Sequence, residues 1–237
     1  MKPEWPAEAV HHLREALRLE PGIVEALVWL SITYLSAGRA EWATPYVQEL
    51  LQNVQELLQI DALTPSHHSL LRYWHLIRGE NSDAEAAYRR MFEMDSGNPL
   101  TVVLYGRMLV LLGEEEKALD TLERISGAAP ENPLVGHGRV LIELLRGREG
   151  HAAAAITPAL EEASRYDEHL SWWMGDWFAA LGEEGKSVDW LQHAVDLGFF
   201  NRPVLDGIDS FLDPIRKSPV FRDFLAGVRA KWEAFED

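Results

Sequence analysis

Apolar side chains fall into helical stripes separated by short polar or glycine- and proline-bearing breaks. Ala9, Leu13 and Ala16 lie on one face of a segment from Ala7 to Leu19 that ends at Glu20-Pro21-Gly22. Leu50, Leu51, Val54, Leu57, Leu58 and Ile60 form another stripe, predicting one long helix over about residues 40–62. Glycine ends the first helix of each predicted pair, and Gly113 and Gly182 are followed by Glu-Glu, where acidic groups suit the start of the next helix. Pro21, Pro99, Pro130 and Pro133 punctuate the turns between pairs.

Laid on itself, the chain repeats. A glycine, four residues and then a small residue opening an apolar helix occur at Gly38/Ala43, Gly79/Ala84, Gly113/Ala118, Gly147/Ala152 and Gly182/Ser187. The small residues are spaced by 41, 34, 34 and 35 positions. A 34-residue period is the tetratricopeptide length. Leu27, Leu30, Ser31 and Tyr34 fit the first helix of one unit. Ala84, Tyr88 and Met91 before Asn98-Pro99 fit the second helix and turn of another. Leu104-Tyr105-Gly106 and Leu109, with Ala118, Leu122, Ile125 and Pro130, make the clearest unit, and Met174-Gly175, Phe178, Ser187, Leu191 and Ala194 the last. On these residues the chain resembles the tetratricopeptide repeat family. Gly136 and Arg139 stand where the pattern has tryptophan and leucine, so that helix departs from it. The resemblance implies an all-α, right-handed superhelical solenoid of antiparallel helix pairs over residues 1–197, beginning with a partial unit at 1–22. That first helix has no partner before it, which fits either a chain cut from a longer protein or a helix that serves as a stand-alone N-terminal cap. The 41-residue spacing is read as one helix longer by about two turns.

Residues 198–237 form a second unit of the reading. Phe199, Phe200, Phe211, Leu212, Phe221, Phe224 and Trp232 are too many aromatic and apolar groups for a tail, and predict a helical cap on the apolar end of the last repeat. From Gly182 onward the chain resembles the ends of tetratricopeptide modules in bacterial multidomain serine/threonine kinases, adenylate-cyclase-like proteins and winged-helix regulators. No kinase residue set or basic recognition helix accompanies it here.

Composition narrows the chemistry. The chain is 47% hydrophobic, enough for a buried core, and no 18-residue apolar run predicts a membrane span. A soluble cytoplasmic protein is the expectation. Net charge −16 opposes broad contact with nucleic acid or anionic lipid. The absence of cysteine removes disulfides, thiolate metal sites and cysteine nucleophiles. Adjacent histidines at His11-His12 and His67-His68 diverge by about 100° on a helix, His68 and His75 have no carboxylate between them at ligand spacing, and HExxH and G-x-S-x-G are absent. No catalytic group, metal or cofactor is assigned.

The resemblance also implies where a partner sits, since in that family the first helices line the concave groove. The reading places Tyr73 and Trp172 there as aromatic anchors, Arg107 and Asp176 as orienting charges, His137 as a polar contact and Leu141 as an apolar one. It predicts a protein-interaction scaffold or sensory module for a protein or peptide partner in bacterial signalling or transcription. The rivals are an enzyme or small-ligand protein with a pocket around His137, Trp172 and Asp176, and a homodimer whose groove is filled by its twin.

Overall fold

The computed structural model describes residues 5–57, 65–125, 127, 129 and 131–235, and it is all-α with helices in packed antiparallel pairs. Helix α1 (Trp5–Leu19) packs on α2 (Val24–Ser36), which pairs with α3 (Ala40–Leu57). The expected continuation of α3 to about residue 62 lies outside the described residues. Helices α4 (Pro65–Ile77) and α5 (Asn81–Met94) form the next pair, then α6 (Pro99–Leu111) and α7 (Glu115–Leu122). Helix α8 (Pro133–Leu145) faces α9 (Glu149–Ala155) and α10 (Pro158–Ser164), and α11 (Glu168–Ala180) faces α12 (Glu184–Leu197). Short turns at Val204–Ile208 and Ser210–Leu212 lead to α13 (Pro219–Ala234).

One turn device makes each pair. At the end of α11, Gly182 has φ +73°, its N–H donates to Ala179 O, and Glu183 N–H donates to Phe178 O. This is the Schellman stop, which satisfies the last carbonyls while reversing the chain, and it needs a residue that tolerates positive φ. The same two bonds recur at the ends of α2, α4, α6 and α8. Each following helix then brings its small residue against its partner: Ala43, Ala84, Ala118, Ala152 and Ser187 are all 0% exposed. The close approach shows most directly at Gly175, where a Cβ would lie 2.6 Å from the Leu191 side chain. Opposite ends of the first helices are set by side chains, as when Asn98 Oδ1 accepts the Leu100 N–H at 3.0 Å and Asn132 Oδ1 that of Leu134 at 2.9 Å, each with proline following.

The fourth pair explains its odd sequence. Thr157 and Pro158 interrupt its second helix, Thr157 Oγ1 accepting the Leu160 N–H that starts α10. Helix α10 then drives Leu160 toward α8, where a Cβ on Gly136 would lie 3.0 Å from Leu160 Cδ1. Leucine from α10 thus occupies the volume that a large residue at position 136 would need.

The C-terminal segment packs on the last pair and also crosses the face formed by the first helices to reach the first pair. Asn201 Nδ2 donates to Leu35 O at 2.7 Å and to Tyr73 Oη at 3.1 Å. Arg39 donates to the carbonyls of Trp232 and Phe235, and its guanidinium lies 3.7 Å from the Trp232 ring centroid and 4.6 Å from that of Trp42. Phe199, Phe200, Leu212 and Phe221 are fully buried in this connection.

Candidate functional site

One step of the repeat leaves an opening. First helices stack on their neighbours from α2 to α4, from α6 to α8 and from α8 to α11, whereas the backbones of α4 and α6 come less close. A partly open cleft of about 420 Å³ lies there. Leu70 and Leu76 from α4, Leu104 and Met108 from α6, and Leu170 and Trp173 from α11 make its wall mainly apolar. Both the size and the few polar groups on an apolar wall suit occupation by a ligand or side chains.

Of the six residues that the sequence reading assigned to a partner groove, Tyr73, Arg107 and Trp172 line this cleft; His137, Leu141 and Asp176 lie behind it. All six are buried, and the polar ones are engaged with other parts of the chain. Arg107 is held from two sides. Its Nη2 donates to Asp176 Oδ2 at 2.6 Å and lies 3.9 Å from Asp209 Oδ2. Its guanidinium carbon is 4.7–5.1 Å from the ring centroids of Trp172, Trp173, Trp177 and Phe211. Aromatic faces attract a guanidinium, most strongly where water is excluded. Trp172 reaches the same carboxylate through Nε1, which donates to Asp209 Oδ2 at 2.8 Å.

Burial, joined by the nearby Asp209 carboxylate, pushes Asp176 well above the ordinary carboxylate range, against the pull of Arg107. Asp209 is also raised by burial, while Arg107 and the Phe211 N–H favour its anion. Burial thus works against the anion at both carboxyl groups, and the Arg107 guanidinium beside them favours it. Tyr73 is likewise raised by burial, partly offset by the Asn201 amide.

His137 belongs to a neutral chain of bonds. Its Nδ1 accepts the Trp177 Nε1–H at 2.8 Å, and its Nε2 meets Ser164 Oγ at 3.1 Å, Ser164 in turn donating to Leu160 O. Burial, and after it the positive charge of Arg107, pushes its pKa down to about 3. Its folded value lies below the unfolded value of about 6.5. The neutral ring therefore stabilises the fold fully above about pH 6.5, and this contribution is lost as pH falls toward 3. Relative to His137→Gln, the wild type is expected to lose up to about 1.4 kcal/mol per pH unit across that window. Urea titrations of both proteins at pH 7.5, 6, 5 and 4 check this; parallel curves would refute it.

Asp209 is a member of the site that the sequence reading did not single out. The only signal for Asp209 was its place two residues before Phe211, whose N–H it caps at 3.0 Å. Among the described residues, two histidine–carboxylate groups come within reach of one ion: His75, Glu80 and Asp83, and Asp167, Glu168 and His169. None of these six residues is buried. Glu80 already binds His75 and Arg78, and Asp167 caps α11 through the His169 and Leu170 N–H groups. Among the described residues, no helix is long and apolar enough to cross a membrane.

Tetratricopeptide repeat family models match residues 6–56 and 75–137. These two stretches match tetratricopeptide repeats. Modules of this family generally act as protein–protein interaction scaffolds and are typically non-catalytic. Solved structures with a related arrangement include Pseudomonas aeruginosa PilF, at 20% identity over 89% of this chain and 90% of that one, with a TM-score of 0.47. A tetratricopeptide repeat protein from Parabacteroides merdae has 14% identity over 94% and 92%, with a TM-score of 0.47. MamA has 18% identity over 66% and 88%, with a TM-score of 0.45. No curated protein matches the sequence.

Proposed function

We propose that this tetratricopeptide chain is an interaction and sensory module of bacterial signalling or transcription, acting in the cytoplasm. It receives an apolar segment of a partner protein in the cleft between α4 and α6. The observation that carries this reading is the cleft itself: an apolar hollow on the first-helix face, rimmed by partly exposed Leu100, Leu134 and Leu170. Tyr73, Arg107 and Trp172 are part of its wall, Asp176 pairs with Arg107 and His137 packs edge-on against Trp173, and buried Leu141 is not among the lining residues. Catalysis is not part of the proposal, in which Arg107, paired with Asp176 and close to Asp209, serves to hold the wall.

Photo-crosslinking tests the site. A benzoylphenylalanine at Leu100, on the rim, is expected to crosslink a native protein whose capture is lost when Leu104→Trp fills the cleft. The same group at exposed Val220, on α13, should not crosslink it. Equal crosslinking from Val220, or capture unchanged by Leu104→Trp, would place the partner elsewhere.

A further inference from the structure

Three side chains that line the cleft are each tied to the C-terminal segment. Asn201 Nδ2 donates to Tyr73 Oη at 3.1 Å, Trp172 Nε1 donates to Asp209 Oδ2 at 2.8 Å, and Arg107 Nη2 lies 3.9 Å from that same oxygen. The three belong to different helices, Tyr73 to α4, Arg107 to α6 and Trp172 to α11. Phe199 adds a stacked contact on Trp172, with ring centroids 4.6 Å apart. No residue after Trp173 lines the cleft itself, so the segment acts on it through the lining side chains it touches.

Asn201 and Asp209 each face two ways. Asn201 Oδ1 accepts the Val204 N–H at 3.1 Å while Nδ2 reaches Tyr73 and, at 2.7 Å, Leu35 O. Asp209 Oδ1 accepts the Phe211 N–H at 3.0 Å while Oδ2 takes the Trp172 indole. One atom of each side chain thus starts a turn of the segment and the other holds the cleft wall, so order in the segment and position of the wall go together. Both residues are buried. Between them, the Arg216 guanidinium donates to the carbonyls of Leu205, Asp206 and Asp209, gathering residues 201–209 into one loop. That loop bridges the step at which the backbones of α4 and α6 come less close than other first-helix neighbours.

We propose that residues 201–209 brace the cleft, with Asn201 and Asp209 as positioning residues: one holds Tyr73, the other Trp172 and Arg107, and docking of the C-terminal segment sets the shape that a partner meets. The inference rests on the reading that the cleft takes a partner, and it adds what controls the partner's seat. By linkage, a partner that prefers the braced cleft must favour the docked segment by the same factor.

The chain has no cysteine, so a single introduced one reports on the cleft in the intact protein. Leu104→Cys places it on the cleft wall, and Val140→Cys, fully buried on α8 and outside the cleft, is the control. Reaction with N-ethylmaleimide is followed by mass spectrometry, with each cysteine alone and combined with Asn201→Ala or Asp209→Ala. Position 140 reads whatever the second substitution costs the fold as a whole. Position 104 is expected to gain about tenfold beyond that, the worth of one hydrogen bond, as the wall loses its brace. Equal acceleration at both positions, no acceleration, or slower reaction at position 104 would each overturn the inference. Should circular dichroism show either variant unfolded, Tyr73→Phe decides, because it removes only the bond to the wall; an excess of about threefold at position 104 is expected, and none would again overturn it. If the benzoylphenylalanine at position 100 captures a protein while position 104 shows no excess, the brace alone fails; an excess at position 104 with no protein captured keeps the brace and sinks the partner.

Discussion

Arg107→Ala is expected to lower the free energy of unfolding by about 3–5 kcal/mol, the usual cost of breaking a buried pair by removing one partner. The alanine leaves Asp176 and Asp209 facing each other without a cation, both buried. It also removes the group around which Trp172, Trp173, Trp177 and Phe211 are arranged. Against a total stability of about 5–15 kcal/mol, such a loss should be plain in urea titrations. Arg107→Met separates the causes, because it keeps much of the volume while removing the charge. If Arg107→Ala cost under about 1 kcal/mol, the guanidinium would not be holding the C-terminal segment against α6 and α11.

Trp177→Ala should cost a similar amount, about 3–5 kcal/mol, by the mechanism of large-to-small core substitution. Trp177 is fully buried, and its ring meets Phe211 from the C-terminal segment at 5.4 Å. The substitution opens a cavity and also strips His137 Nδ1 of its donor. Because both residues share Phe211 as a neighbour, the double variant Arg107→Ala, Trp177→Ala should depart from additivity by about 0.5–3 kcal/mol. Denaturant titration of the two single variants and the double variant measures it. Strict additivity would mean that the cage of rings around Arg107 contributes through its members separately.

The parts of this molecule legible in the sequence are those whose physics is local. Gly182 reads as a helix stop because its conformation depends on the chain on either side, and Asn98-Pro99 reads as a start for the same reason. Ala118 and Gly106 read as a close helix approach because the period brings them into register, and a Cβ on Gly106 would indeed lie 2.7 Å from Leu122. Helix pairing followed from such marks. The break at Thr157-Pro158 was hidden by the period itself, since the small residue Ala152 kept its expected spacing while the helix after it was split in two. The site was legible only by residue type. Tyr73, Arg107 and Trp172 line the cleft, yet nothing near them in the chain announces Asp209 or Asn201. An ion pair between residues 69 positions apart, as for Arg107 and Asp176, carries no local signature.

The bonds from Asn201 to Leu35 and from Arg39 to Phe235 span 166 and 196 residues. An open repeat array gains stability from each unit and its nearest neighbour, so it can fray from either end. Tying the α2–α3 pair to the last segment links distant units directly, and the helices between them become a cycle in which losing one member exposes the rest. The entropy of closing so long a loop grows only as the logarithm of its length, so the tie is less costly than its span suggests, but it forms only after the intervening helices have shortened the distance. Folding of this chain should therefore finish at the junction of Arg39 with Trp232, and native-state hydrogen exchange should show that junction opening before any single helix pair.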